Sequence, residues 1–345
     1  MDGLPARFRA YVAERIDERV VQGPREVDAD LLPPGDVVVR VEWSGVNFKD
    51  GLAVRPDGRV ARISPLIPGI DLAGEVVASS DPAFPVGMRV LAHGYELGVS
   101  HHGGYAEFAR IPAGWVVPLP SGLSTREAMA IGTAGFTAAM GVEALEARGL
   151  RPGDGPVLVT GASGGVGSMA VDILAGRGYE VWAATGKPDE EERLRRLGAS
   201  GILRREEVTA PGRPLESERW AGAIDTVGGA TLPYVLRTLR RRAAVAACGN
   251  AGGATLETTV FPFILRGVAL LGLDSAEVPI EDRRRLWGRL AGDLRPAHLG
   301  LGLTEVTLDT LGQALEAVVA GRARGRWIVR IAREAASSAQ PSGAA

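Results

Sequence analysis

Apolar and polar positions along the chain follow two different regimes. Over the first third, short apolar runs alternate with turn residues. Asp36-Val-Val-Val-Arg-Val-Glu-Trp43 reads as a strand closed by Ser44-Gly45, and Gly74-Glu-Val-Val-Ala78 as another. Prolines at positions 56, 65, 68, 82, 85, 112, 118 and 120 exclude long helices there, so this stretch reads as a compact, mostly β unit. The pattern changes at Ser121-Gly-Leu-Ser-Thr-Arg-Glu127, where Ser124 and Glu127 have capping-box spacing and predict a helix running to about Val142. From Arg151 onward strand and helix periods alternate. Pro156-Val-Leu-Val-Thr160 reads as a buried strand, followed by a glycine turn and a helix with Met169, Ala170, Ile173 and Leu174 on its apolar face. Tyr179–Thr185 is a second strand. The helix after it opens at Pro188 with four acidic residues, Asp189 to Glu192, and closes on Arg195, Arg196 and Gly198. The pairs Glu191/Arg195 and Glu192/Arg196 predict that this charge run is a solvated helix face rather than a ligand site.

Further strands read at Ala223–Val227, Ala243–Cys248 and Val268–Gly272, and repeated βα units predict a doubly wound parallel sheet. A helix near Thr310–Ala320 and a strand at Arg326–Ile331 close the pattern and are expected to return to the first unit. The fold class is therefore α/β. Residues 1–125 and 273–333 are expected to form a discontinuous, mostly β domain, residues 126–272 the parallel-sheet domain, and residues 334–345 a disordered tail.

Charge narrows the partners. With 39 Lys and Arg against 41 Asp and Glu, the net charge of −2 provides no global basic field for nucleic acid or an anionic membrane. The uncharged run from Ala128 to Val142 is diluted by three glycines and falls short of a ~20-residue membrane span. The opening MDGLPARFRA lacks the apolar core of a secretory signal, so a cytoplasmic protein is expected. The single cysteine, Cys248, excludes an internal disulfide and a multi-cysteine metal site, and reads as inert packing. The 47 glycines cluster in loops without a fixed period, which excludes collagen-like and solenoid architectures.

The chemistry concentrates in Val157-Leu-Val-Thr-Gly-Ala-Ser-Gly-Gly-Val-Gly167. This segment follows a strand, opens a helix and contains Ala162-x-Gly164-x-x-Gly167, a dinucleotide fingerprint with alanine at its first glycine position. Gly164 lets backbone approach a pyrophosphate, Gly167 permits close helix–strand packing, and the helix N-terminus favours the anion. The end of the second strand selects the cofactor. A site for NAD places Asp or Glu there to bind the ribose 2′-hydroxyl, but this strand ends Ala184-Thr185-Gly186-Lys187, and the nearby acid, Glu180, sits at its opposite end. A hydroxyl, a glycine and an ammonium suit a 2′-phosphate, which predicts NADPH.

Several segments in order resemble one family: Asn47-Phe-Lys-Asp-Gly-Leu-Ala53, Pro65–Gly74, Gly94–Ser100, Ala130–Ala138, Val159–Gly167, Trp220–Asp225, Phe263–Val268 and Leu271–Ser275. They resemble the YhdH/YhfP-type quinone oxidoreductases of the medium-chain dehydrogenase/reductase superfamily, a group that includes NADPH-dependent acryloyl-CoA reductases. The resemblance implies a GroES-like catalytic domain with a Rossmann domain inserted, a cofactor cleft between them, and a homodimer joined near Val268–Leu273. It further implies that Ser163, Gly164, Gly165 and Val166 hold the pyrophosphate and Thr185, Gly186 and Lys187 the 2′-phosphate region. Arg205 resembles the family's further phosphate contact, with Arg204 as its rival, while Asn250 and Ser275 are expected on the nicotinamide side.

Zinc-dependent members of the superfamily use Cys and His ligands. Here the corresponding segments read Gly45-Val-Asn47 and Gly69-Ile-Asp71, without cysteine, so no metal is expected. His93, His101 and His102 are expected in a loop or cleft wall. Without a Lewis acid the favoured acceptor is a small electrophile: an α,β-unsaturated thioester or enone, or a quinone, taking hydride at carbon while neutral donors stabilise the developing oxyanion. Asn47 is the expected donor, with a turn-capping role as its alternative, and Asp50 is expected to orient it. The family commonly has tyrosine where this chain has Phe48, which removes a phenolic proton donor. A non-catalytic NADPH-binding protein is the alternative that Phe48 and Asn250 leave open.

Overall fold

The computed structural model describes residues 4–332; the expected tail at 334–345 lies outside them. The chain opens on a hairpin of β1 (Arg7–Ile16) and β2 (Arg19–Asp28), followed by β3 (Val37–Val46), α1 (Phe48–Ala53) and β4 (Asp71–Ser79). Next come β5 (Arg89–His93), β6 (Phe108–Ile111), β7 (Val117–Pro118) and the long α2 (Thr125–Ala147). The alternating part contains β8 (Val157–Val159), α3 (Gly165–Gly176), β9 (Val181–Thr185), α4 (Glu191–Arg196), β10 (Ala199–Arg204) and α5 (Arg205–Thr209). It continues through β11 (Gly222–Asp225), α6 (Thr231–Thr238), β12 (Ala244–Ala247), α7 (Phe261–Arg266) and β13 (Ala269–Gly272). The last elements are α8 (Ile280–Ala291), β14 (Leu303–Thr307), α9 (Leu311–Val319) and β15 (Arg326–Arg330).

Six parallel strands form one sheet in the order β10-β9-β8-β11-β12-β13. The strand order reverses between β8 and β11, the doubly wound switch point, where a crevice opens at the carboxyl ends of the strands. The other main sheet runs β14-β15-β3-β4-β5-β7, with β6 also on β3, so β15 pairs with β3 of the first third of the chain and β14, which the sequence pattern did not indicate, adds beside it. Its core includes Val37, Val39, Val41, Leu72, Val76 and Val90, the inward positions of strands whose alternation the sequence displays.

Helix α2 lies between the two sheets. Its capping box forms as expected, with Ser124 N donating to Glu127 Oε2 at 2.9 Å, but it runs past Val142 to Ala147 and contains a kink. Gly132 sits there at φ +50°, where a Cβ would lie 2.5 Å from Arg326 Nη2 and 2.7 Å from Asp71 Oδ2. This is the one helix among the described residues long and apolar enough to cross a membrane, and most of its apolar run is buried inside the protein. Helix α8 packs Leu286, Trp287 and Leu290 into the same core as α2 and α3.

Candidate active site

At the end of β8 the chain turns through Thr160–Gly164 into α3. Ala162 N bonds the Ala184 carbonyl at 3.0 Å and Gly164 N the Gly161 carbonyl at 3.0 Å, which holds the loop against β9. A Cβ at Gly167 would lie 2.3 Å from the Gly161 carbonyl oxygen, so the helix closes on the strand only with glycine there. No side chain caps α3. Its first N–H groups are therefore free to meet an anion, and Ser163, Gly164, Gly165 and Val166 line that position.

Thr185, at the end of β9, donates to Ser163 Oγ at 2.9 Å and accepts from Lys187 N at 3.1 Å. Its hydroxyl braces the loop. Gly186 faces the Arg205 guanidinium: a Cβ there would lie 2.3 Å from Nη2. Arg204 instead points at Glu191, 3.6 Å away, and its backbone N–H is capped by Glu207. The structure thus places Arg205, rather than Arg204, beside Gly186 and Lys187. Lys187 donates through Nζ to the Ala323 carbonyl, and burial, with Arg324, Arg193 and Arg205 nearby, lowers its pKa. Asn250, exposed, and Ser275, half-buried, sit just past β12 and β13, on the same edge of the sheet as the glycine loop.

The acidic run is only partly the solvated face expected. Glu190 is buried, accepts from Arg193 Nε at 2.7 Å and pairs with Arg324 at 3.2 Å. The helical spacing shows Glu191/Arg195, which does form at 2.9 Å, but it gives no signal for a contact with a segment 134 residues downstream. Arg193, on the same helix, also reaches the glycine loop. It donates through Nη2 to the Ser163 carbonyl at 3.0 Å, while its buried Nη1 has no partner.

Asn47 begins α1, and its amide is committed. Nδ2 donates to Asp71 Oδ2 at 2.8 Å and to Asp50 Oδ2 at 3.2 Å, and Oδ1 accepts from Arg326 Nη1 at 3.1 Å. Asp50 Oδ2 also takes the Asn47 backbone N–H at 2.8 Å, and Oδ1 takes that of Ile70 at 2.8 Å. In this geometry both amide hydrogens of Asn47 are engaged inside the protein, and none is left over for a substrate. Burial, reinforced by the charge of Asp71, pushes the Asp50 carboxyl up to about 7.

Asp71, fully buried, also takes the Thr133 N–H at 3.2 Å and the Thr133 hydroxyl. Arg326 completes the group. It donates to the Ala130 and Met129 carbonyls freed by the α2 kink, at 3.1 and 3.0 Å, and lies 3.5 Å from Asp71. Its Cδ is 3.4 Å from a Cβ position at Gly165, so this cluster abuts the glycine loop.

The histidines face inward. His93 is buried against Trp287, whose Nε1 donates to its Nε2 at 2.8 Å, and burial with Arg283 lowers its pKa well below the usual value. His102 Nδ1 accepts from Ile67 N at 3.1 Å, and burial lowers its pKa to about 4. Cys248 lies one residue past β12, its thiol pushed up to about 12 by burial. Among the described residues no three His, Cys, Asp or Glu come together as a metal site. The acid in the Gly69-Ile-Asp71 segment is held by Asn47, Thr133 and Arg326, so this donor set does not fit the zinc chemistry of the wider superfamily.

A GroES-like β unit carrying a doubly wound sheet with a glycine loop defines a nucleotide-dependent dehydrogenase or reductase. The family descriptions "Alcohol dehydrogenase GroES-like domain" and "Zinc-binding dehydrogenase" match residues 33–121 and 165–291. The chain belongs to the medium-chain dehydrogenase/reductase superfamily, in its group of YhdH/YhfP-type quinone oxidoreductases. It is 48% identical over 327 residues to the acrylyl-CoA reductase AcuI of Ruegeria pomeroyi, covering 94% of this chain and 99% of that protein. It superposes on the yhdH oxidoreductase of Salmonella enterica in complex with NADP at a TM-score of 0.92, with 48% identity over 94% of this chain and all of that one. Bacillus subtilis yhfP, solved with NAD bound, matches at a TM-score of 0.92 and 45% identity, over 95% of this chain and all of that one.

Proposed function

We propose that the protein is a zinc-independent, NADPH-dependent reductase of activated double bonds in acryloyl-CoA-like thioesters and enones, and of quinones. The observation that carries this reading is the end of β9. Thr185, Gly186 and Lys187 stand where an acid would bind a ribose 2′-hydroxyl, and with Arg205 they converge beside the free N-terminus of α3. The relatives that bear the names acrylyl-CoA reductase and yhdH oxidoreductase in complex with NADP support it. When bound, NADPH supplies a hydride. The chain's own residues hold it: the N–H groups of Gly165 and Val166 meet the pyrophosphate, Lys187 and Arg205 the 2′-phosphate, and Asn250 and Ser275 flank the nicotinamide side.

Asn47 and Asp50 act as positioning residues that fix α1, and with it Phe48, 39% exposed, as an apolar wall without a proton to give. The proton for the substrate carbon then comes from solvent. The cations near α1 separate into two sets. Arg55 pairs with Asp57 at 2.9 Å and Arg62 with Glu96 at 3.3 Å, whereas Lys49 and Arg59 have no such carboxylate among the described residues. Lys49 and Arg59 are available to the anionic tail of a thioester substrate.

The boundaries 1–125 with 273–333 and 126–272 are retained as the domain division, and a cytoplasmic homodimer as the working form. Among the described residues edge strand β13 pairs with β12 alone, and its Leu270, with Ile264 and Phe261 of α7, is 36, 68 and 44% exposed in turn, an apolar edge suited to a second copy. The test is nicotinamide oxidation with acryloyl-CoA, crotonyl-CoA, a free enone and benzoquinone, using NADPH and NADH in parallel. NADPH-selective turnover of the thioesters supports the reading. Equal use of NADH would overturn the cofactor assignment, and NADPH binding without turnover of any acceptor would favour a non-catalytic binding protein.

A further inference from the structure

The residues between α9 and β15 belong to the catalytic part of the chain, yet they lie against the cofactor edge. Gly325 N donates to the Ser163 carbonyl at 2.9 Å, alongside Arg193 Nη2 on the same oxygen at 3.0 Å. Ala323 offers its carbonyl to Lys187 Nζ, and Arg324 reaches Asp189 and Glu190. The Arg324 carbonyl is held by Trp327 Nε1 at 3.0 Å, which fixes the turn that presents its side chain.

Charge in this cluster does not balance. Lys187, Arg193, Arg205 and Arg324 surround the position, and the carboxylates among them are Asp189 and Glu190. Four cations against two carboxylates leave two positive charges, the complement of a phosphate monoester carrying about −1.5 to −2. Arg193 Nη1, buried and without a partner, lies against Gly302 and Gly325, at the end of the same loop. Arg193 and Arg324 share the two acids, Lys187 Nζ is met by the Ala323 carbonyl, and Arg205 has no ion pair among the described residues, an arrangement that a dianion would complete.

We propose that the return loop 322–325 forms the outer wall of the 2′-phosphate pocket, with Arg324 as a specificity-determining residue. This rests on the NADPH reading above and deepens it. The catalytic part of the chain recognises the feature that distinguishes NADPH from NADH, and it does so through a loop already bonded to Ser163. Asp189 and Glu190 hold Arg324 in place until the phosphate arrives.

The experiment compares binding of 2′,5′-ADP and 5′-AMP, by calorimetry and by ligand-induced shift in melting temperature, in the wild type, Arg324→Gln and Arg324→Lys. Arg324 is exposed, so these variants should fold, and equal melting temperatures without ligand check it. Arg324→Gln is expected to weaken 2′,5′-ADP about tenfold, the scale of one lost charged hydrogen bond, and to leave 5′-AMP unchanged. Arg324→Lys should recover part of the loss. Equal weakening of both ligands would mean that the loop only buttresses the fold, and no weakening of either would remove Arg324 from the pocket; both overturn the proposal. If the wild type itself fails to prefer 2′,5′-ADP, the NADPH reading falls first.

Discussion

The two polar clusters that meet at Arg326 are opposites. Around Asn47, Asp50, Asp71, Thr133 and Arg326 the donors and acceptors satisfy one another inside the protein, and Asp50, Asp71 and Arg326 are buried. Around Ser163, Lys187, Arg193 and Arg205 the helix N–H groups have no side-chain cap and positive charge is in excess. A closed network cannot bind anything without breaking bonds it already makes, so it serves architecture. An unbalanced cluster has capacity for a ligand. Comparing them separates residues that build the cleft from residues that face what enters it.

The contrast can be broken by substitution. The largest effect is expected from Arg326→Met, which leaves the buried Asp71 carboxylate without its cation and the kink carbonyls of α2 without their donor. A loss of about 3–5 kcal/mol should appear in chemical denaturation. Next is Asp50. Its folded pKa of about 7 exceeds the ordinary 3.8, so the folded state holds a proton that the unfolded state has released. The stabilisation is therefore complete below about 3.8 and is lost as pH rises through about 7, by on the order of a few kcal/mol. His102, shifted down from 6.5 to about 4, tilts part of the same window the other way. The difference between wild type and Asp50→Asn isolates the carboxyl: the variant should lose less stability between acid and neutral pH, and parallel curves would refute the assignment.

On the open side, Lys187→Ala should raise the Kd for NADPH by about 10-fold or more and leave NADH unchanged, measured by nicotinamide fluorescence. The smallest effect is expected at Arg204. With a single exposed partner, Arg204→Ala should change stability by less than about 0.5 kcal/mol and NADPH affinity not at all, whereas Arg205→Ala should weaken NADPH. Reversal of that order would return Arg204 to the pocket.

Periodic elements were legible in the chain because their residues are close in sequence. Strand β8, the glycine turn and the start of α3 announce themselves through an apolar run followed by Gly164 and Gly167. Helix α8 was missed for a specific reason: its buried face is Arg283, Leu286, Trp287 and Leu290, a helical spacing in which an arginine occupies a core position. That arginine holds the His93, Ala276 and Val278 carbonyls, partners that no local pattern reveals. The β1–β2 hairpin was missed because β2 is mostly exposed and carries Gly23 and Pro24, so it lacks the alternation that marks a strand.

The cofactor fingerprint, the absence of an acid at the end of β9, the missing cysteine ligands and the order of βα units are properties of neighbouring residues. Local backbone physics and side-chain chemistry determine them, and the sequence alone sufficed to read them. Tertiary structure alone decided which of Arg204 and Arg205 faces Gly186, that the amide of Asn47 is committed to two carboxylates, and that Arg193 and Arg324 join Lys187. Those outcomes depend on where side chains far apart in the chain meet when the two sheets pack around α2. Asp71 and Arg326 stand 255 positions apart and become neighbours only at the kink of Gly132, because the freed helix carbonyls there require a donor and the buried carboxylate requires a cation.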